Sequence, residues 1–370
     1  MNIKDFPPPH IPCKLPLDTI SSKLACDKSF ISNIIRKGSR LSEFIGYLQN
    51  LPSPQILISS LTLQEAVLSS RIEGTLATIA DVVTENRSSE TIANDIIEIE
   101  NYCKAIHYGH LTLRDHDALI SKNMICQLHI LLLDNNVRGA DKTPGIFKTE
   151  QNFIQNDILG NFTPLPPVLT DEYMDNLIEY IRADSEISEL VQAAVMHAQF
   201  EMIHPFKDGN GRVGRLLIPL LLFYKKVLPF PIFYISRYFA ENNDAYKKYL
   251  AALSRASSKE EQISAWRDWL YFFFDGVATE STRHISTSRQ IIDLYKEMSA
   301  AVNKTAMIPL VDLLFEQLKI SPPAVISSLQ LPASSVYKVL ANLTEKKYLT
   351  RTGSERKSLY VFTKILDIVQ

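Results

Sequence analysis

Glycine is the scarce residue of this chain, and its scarcity limits the folds open to it. Twelve glycines among 370 residues is about 3%, less than half the usual ~7%. Tight turns need glycine, so sandwiches and barrels built from many short strands are argued against. Long helices are expected instead. Three of the twelve, Gly209, Gly211 and Gly214, fall within six positions, and chemistry is sought there first.

The remaining composition sets outer bounds. Lys+Arg 39 against Asp+Glu 41 leaves a net charge of −2, with 46% hydrophobic and 22% charged residues. That balance fits a folded chain of two or three domains, at roughly 100–200 residues each. It offers no global attraction to nucleic acid or anionic lipid. Cys13, Cys26, Cys103 and Cys126 lie far apart without a C-x-x-C pair, so they read as reduced thiols of a cytoplasmic protein. The start MNIKDFPPPH has no apolar run. The most apolar stretch, residues 216–224, is interrupted by Pro219 and is too short to cross a bilayer.

Five of the nineteen prolines (Pro7, Pro8, Pro9, Pro12, Pro16) lie in the first 25 residues, which read as an extended arm. Helical periodicity begins near Lys28. A long helix is expected over 54–73, with Ile56, Leu57, Leu61, Leu68 and Ile72 on its apolar face and Gly74 as its stop. Further helices are expected over 89–109, 115–133, 170–182, 187–203, 210–224, 242–255 and 259–289. Between Gly139 and Pro167 weak alternation and the turn residues Asn156, Asp157 and Gly160 suggest a short β-hairpin. Composition shifts near Asn303. The resulting division is an N-terminal helical region over 1–110, a central domain over 111–290 and a C-terminal module over 305–370.

The glycine cluster reads His204-Pro-Phe-Lys-Asp208-Gly-Asn210-Gly-Arg212-Val-Gly-Arg215. Formally it contains G-x-G-x-x-G, but a dinucleotide fold needs a strand in front of it. Residues 191–203 are helical by propensity and period, so that reading fails. A turn of small residues opening a helix presents free backbone N–H groups backed by the helix dipole. Arg212 and Arg215 leave one helical face near that N-terminus. Asn210 adds an amide donor, Asp208 can hold Mg²⁺ between phosphate oxygens, and His204 can act as a general base. Taken singly, each residue has a bland reading as core histidine, simple turn or solvated arginine. Together within twelve residues they read as a polyphosphate site.

These twelve residues fit H-P-F-x-D-G-N-G-R-x-G-R without mismatch and resemble the motif of the Fic (filamentation induced by cAMP) family. The proline-rich start, the segment 65–75, the hairpin and Tyr234-Ile-Ser-Arg-Tyr238 are similar to parts of stand-alone bacterial Fic proteins. The resemblance implies a mainly helical Fic fold and transfer of AMP from ATP to a Ser, Thr or Tyr hydroxyl of a target protein. It assigns His204 as base and Asp208 as the Mg²⁺ ligand. Asn210, Arg212 and the backbone of Gly209, Gly211 and Gly214 would bind the phosphates, and Arg215 the γ-phosphate. Tyr246 resembles a base-contacting tyrosine, with a core tyrosine as its alternative.

Ser69 and Glu73 resemble the family's inhibitory motif, S/T-x-x-x-E-G/N, at i,i+4 on one helical face. If Glu73 pairs with Arg215, ATP binds in an unreactive pose, within one chain or between partners of a homodimer. Lys148, Asn152, Phe153, Ile154 and Gln155 resemble the flap that aligns a target segment by strand addition, with Lys148 and Asn152 departing from the family's usual arginine and aliphatic residue. Over 305–370 eight basic residues face five acidic ones. The helix from Ala333 places Val336, Leu340 and Leu343 inward and Ser335, Lys338 and Asn342 outward. Followed by a two-stranded wing carrying Arg356 and Lys357, this resembles a winged helix-turn-helix that can meet DNA. Removal of AMP, transfer of another nucleotide, and a nucleotide-sensing DNA-binding regulator stay open as alternatives.

Overall fold

The structure is a computed structural model that describes residues 6–51, 55–115, 118–135, 137–155, 160–184, 188–302, 305–353 and 358–369. Among these residues helices dominate and the strands are short. The first helices are α1 (Asp18–Ala25), α2 (Lys28–Gln49), α3 (Gln55–Ile72), α4 (Ile79–Thr84), α5 (Glu90–Asp115) and α6 (Lys122–Leu132). The central set is α7 (Pro167–Arg182), α8 (Glu189–Ile203), α9 (Asn210–Tyr224), α10 (Ser236–Glu241), α11 (Asn243–Arg255) and α12 (Lys259–Val302).

Local chemistry sets several boundaries. Asp27 caps α2 by accepting from the N–H groups of Ser29 and Phe30, and Thr78 with Asp81 forms a capping box on α4. Gly74, at φ 98°, ends α3. The Thr75 N–H bonds the Ser70 carbonyl at 3.2 Å and the Gly74 N–H that of Arg71 at 2.9 Å, the bond pattern of a Schellman turn.

The expected extended arm is shorter than its prolines suggested. Past Pro16 no proline interrupts residues 18–25, and they close into α1. The arm before it is pinned: His10 N–H bonds Thr163 O at 2.8 Å, and Asn176 bonds both backbone groups of Leu15 at 2.8 Å. The 44-residue α12 packs along α2 and continues past 289 to Val302, where Ile291, Leu294, Met298 and Val302 keep its stripe buried. α5 likewise runs on through residue 110.

Among the described residues the expected hairpin shows one antiparallel bridge, Ile154 to Phe162. Pro164, Pro166 and Pro167 lack the N–H groups needed to extend the ladder beyond it. Its turn residues Asn156 and Asp157 lie outside the described residues.

Past α12 come α13 (Ile308–Gln317), β1 (Lys319–Ile320), α14 (Pro322–Leu329), α15 (Ala333–Glu345), β2 (Thr350–Thr352), β3 (Leu359–Val361) and α16 (Leu366–Val369). The sheet order is β1-β3-β2, all antiparallel. In α15, Val336, Leu340 and Leu343 are buried as expected. Ser335 is only half-exposed, and Asn342 is turned to α12, donating to Ala301 O at 3.2 Å. Arg356 and Lys357 lie outside the described residues. This module docks on the back of α3. Ser59 donates to Glu316 O at 2.6 Å, Gln64 to Val369 O at 2.8 Å, and Lys319 pairs with Glu85 at 2.6 Å.

Candidate active site

The turn from α8 to α9 holds the candidate residues His204 and Asp208, and its backbone is held from several sides. Pro205 disfavours the right-handed region for the residue before it. His204 ends α8 in the left-handed region, at φ 51°. Gly209, at φ 76°, opens α9. The Asn210 side chain spends both its polar ends on one residue, accepting from Phe206 N–H and donating to Phe206 O, each at 2.8 Å. It therefore shapes the turn, where a phosphate contact was expected.

A second histidine braces the same turn. His129 of α6 accepts from Gly145 N–H at 2.8 Å, which leaves Nε2–H to donate to Asp208 O at 2.9 Å. Its ring stacks on Phe206 with centroids 3.8 Å apart. Burial brings its pKa down to about 4, so it is a neutral hydrogen-bonding strut. Lys148 is buried beneath the turn, donating Nζ to Ile203 O at 2.9 Å and its N–H to Pro205 O at 2.8 Å. Asn152 donates to Phe206 O at 2.7 Å. Both flap residues that depart from the family's usual types are thus turned onto the catalytic turn.

His204 lines a cavity of about 310 Å³ together with Glu73, Glu201, Gly211, Arg215 and Tyr246. Burial, followed by the nearby Lys148 charge, brings its pKa down to about 4. The imidazole is neutral at physiological pH, the form a base requires. One face of α11, with Lys247, Leu250, Ala251 and Ser254, supplies the opposite wall, and Ile154 and Gln155 of the flap close the rim. Phe153 is turned away, packing edge-on against Phe6 at 4.9 Å.

Neither arginine is a solvated surface group. Arg212 is 1% exposed and donates Nη1 to Glu98 Oε2 of α5 at 2.9 Å. Glu98 also takes Arg138 Nη2 at 3.2 Å, and Arg138 Nη1 reaches back to Glu73 O at 2.8 Å. Arg215 donates Nε to Ser69 Oγ at 2.8 Å, and Nη2 to Ser69 O at 3.0 Å and Glu73 Oε1 at 2.7 Å. Burial works to raise the Glu73 carboxyl, but the Arg215 charge and hydrogen bond outweigh it and hold it below the usual range. A glutamate at the negative end of α3 is badly placed by itself, and the two arginines offset that placement. A Cβ on Gly211 would collide with Glu73 Oε1 and stand 2.8 Å from Arg215 Nη1, so a larger residue there would push this ion pair aside.

Tyr246 belongs mainly to the core. It is 4% exposed, stacks on Phe239 at 4.5 Å and shares a 2.9 Å hydrogen bond with His197 Nε2, so only its edge faces the cavity. Sequence reasoning missed His129, Glu98, Arg138 and Glu201. The spacing Glu201-x-x-His204, one turn on the same helix, was the available signal for the last.

Profiles of known families fit this arrangement. The Fic/DOC family profile matches residues 119–222, and the Fic/DOC N-terminal profile matches residues 17–111. The chain belongs to the Fic/DOC family. The first match contains the whole 204–215 turn, and the second contains Ser69, Glu73 and Glu98. Protein adenylyltransferase fic-1 of Caenorhabditis elegans is 29% identical over 176 residues, covering 44% of this chain and 32% of the worm protein. A probable protein adenylyltransferase of Aquifex aeolicus is 32% identical over 79 residues, covering 20% of this chain and 25% of its own length. The Fic match thus spans about a third or less of these relatives. In structure the Fic fold is shared with a Fic family protein from Desulfovibrio desulfuricans G20, at a TM-score of 0.55 and 20% identity over 89% of this chain and 95% of that one.

Proposed function

We propose that this Fic protein transfers AMP from ATP to a Ser, Thr or Tyr hydroxyl of a target protein, and that Glu73 holds the activity in check. The observation carrying the reading is the shared cavity. Neutral His204, the glycine-rich start of α9 and Arg215 all face one space of about 310 Å³. The names of the worm and Aquifex relatives support the choice of AMP.

His204 takes the hydroxyl proton on its ring nitrogen. The oxygen forms a bond to the α-phosphorus, the bond from that phosphorus to the β-phosphate oxygen breaks, and pyrophosphate leaves. The α9 N–H groups and Arg212 hold the phosphates in line, the positioning work on which such transfers mostly depend. The negative polyphosphate also raises the basicity of the imidazole beside it.

Asp208 suits Mg²⁺ that arrives with the nucleotide. Its side chain is 36% exposed, and one oxygen accepts from Gly209 N–H at 2.6 Å. Among the described residues no group of three or more His, Cys, Asp or Glu could hold a metal by itself. A site of one carboxylate completed by phosphate oxygens matches magnesium's habit. When bound, the ion neutralises charge on the α- and β-phosphates.

Glu73 and Ser69 occupy the guanidinium that the γ-phosphate needs, so bound ATP lacks its aligning partner. We read residues 305–369 as a winged helix-turn-helix packed on the enzyme, with Ser334, Tyr337 and Lys338 left exposed.

The deciding experiment incubates the Glu73→Gly chain with α-labelled ATP and Mg²⁺, with His204→Ala added in a parallel sample. Label is expected on protein in the first, and only reversible nucleotide binding in the second. Full transfer by the His204→Ala chain would overturn the assignment.

A further inference from the structure

Glu201 has no role in the chemistry above, yet it lines the cavity beside Arg215. Its carboxyl is pressed against α9, where a Cβ on Gly214 would stand only 2.5 Å from Oε1. That oxygen is buried and has no hydrogen-bond partner among the described residues. A buried polar atom left without a partner destabilises the fold, and such an orphan in a cavity wall marks a place for a ligand atom.

We propose that Glu201 is a proton-dependent part of the nucleotide site. As a carboxylic acid it donates a hydrogen bond to an oxygen of the terminal phosphate, a contact that stays open while Glu73 and Ser69 hold the Arg215 guanidinium. As a carboxylate it repels that phosphate and competes for the guanidinium. The inference rests on the reading of the cavity as a nucleoside triphosphate site.

The surroundings leave Glu201 free to titrate in the neutral range. Burial raises its carboxyl to about 7, against the pull of Arg215 and with the push of Glu73. From α9 it faces Arg215, always charged; from α3, Glu73, held below the usual range. From α11 it faces Tyr246, held far above. On its own helix His197 and His204 are neutral, with pKa values brought down by burial to about 3 and about 4. Lys148, brought down to about 7 by burial, titrates nearby but binds Ile203 O.

The sign follows from linkage. Nucleotide binding favours the protonated acid, so binding takes up a proton and weakens as pH rises through 7. If only the acid form binds, affinity falls about tenfold between pH 6 and pH 8.

The test is calorimetric titration of the full chain with a non-hydrolysable ATP analogue and Mg²⁺ at pH 6, 7 and 8, in buffers of different ionisation enthalpy. The analogue's terminal phosphate titrates in the same range, but equally for every variant. The unaltered chain is expected to lose about tenfold more affinity across this range than Glu201→Gln, and to take up more protons. Lys148→Arg is expected to keep the slope. Equal slopes and proton counts in the unaltered and Glu201→Gln chains overturn the proposal, as does loss of the slope in Lys148→Arg alone. In the unaltered chain, infrared difference spectra at pH 7.5 should show a gain in protonated carboxyl on adding the analogue, and no gain overturns it without any substitution. Absence of analogue binding at every pH overturns the nucleotide-site reading itself, whereas pH-independent binding overturns only the role of Glu201.

Discussion

Glu73 and Arg215 stand 142 positions apart in the chain and 2.7 Å apart in the fold. Ser69, one turn before Glu73, holds the same guanidinium through its hydroxyl and its carbonyl. The contact joins the N-terminal family match to the catalytic one, and it forms within a single chain.

Removing the carboxylate frees Arg215 for phosphate. A hydrogen bond to a charged group contributes about 1.5–3 kcal/mol, so Glu73→Gly is expected to raise AMP transfer ~10- to 100-fold. Ser69→Ala keeps the ion pair and should raise it less. Initial rates with labelled ATP measure both. An unchanged rate with unchanged ATP affinity would show that the pair does not restrain turnover.

The His129 strut bears on the chemistry without touching substrate. His129→Ala removes the acceptor for Gly145 N–H, the donor to Asp208 O and the ring under Phe206. A shift of the turn by about 1 Å is enough to lower kcat ~100-fold. Measured in the Glu73→Gly background, kcat should fall far more than KM rises. A mere loss of stability, with kcat preserved in the folded fraction, would contradict this.

On the far side of α3, Gln64→Ala leaves the Val369 carbonyl without its 2.8 Å partner. The expected loss is about 1–3 kcal/mol of stability. Denaturant unfolding reads the loss, and hydrogen exchange should locate it at residues 366–369.

Acid should destabilise the fold below pH 6.5. Burial brings His10, His129, His204 and His284 down to about 4 and His197 to about 3, from 6.5. Between 6.5 and 4 the unfolded chain binds protons that the folded chain refuses, so their contribution is lost as pH falls through that window. Glu65, Glu201 and Glu280, raised by burial to about 7 from 4.5, act in the opposite sense between 4.5 and 7. The histidines outnumber them, which places the maximum near pH ~6.5. Calorimetric midpoints from pH 4.5 to 7.5 check it, and a midpoint that rises on acidification to 5 would contradict it.

Much of this site can be read from the chain because the 204–215 turn is contiguous and Ser69 and Glu73 share a helical face. The bounds of α9 follow from Gly209 and the run of leucines. His129 could not be found this way, since its partners are the N–H of Gly145 and the carbonyl of Asp208, and backbone groups carry no residue-type signature. Glu98 looks like any acidic residue on an amphipathic helix until Arg212 and Arg138 are seen to converge on it. Of the hairpin, the described residues keep the Ile154–Phe162 bridge, and the prolines at 164, 166 and 167 withhold N–H groups that would lengthen it. Lys148 and Asn152, expected to meet a target, instead reach carbonyls of the catalytic turn.

Ten side chains of α3 between Ile56 and Val67, together with Ser69 and Ser70, are buried. The helix turns no broad face to water, so nearly every substitution along it is also a substitution in the core. Glu73, just beyond its end, has its side chain 34% exposed, as the end residues Gln55 and Arg71 are exposed. If Glu73 restrains activity as proposed, activity and stability are coupled over most of this segment and separable at Glu73, whose carboxylate can be lost without opening the interior.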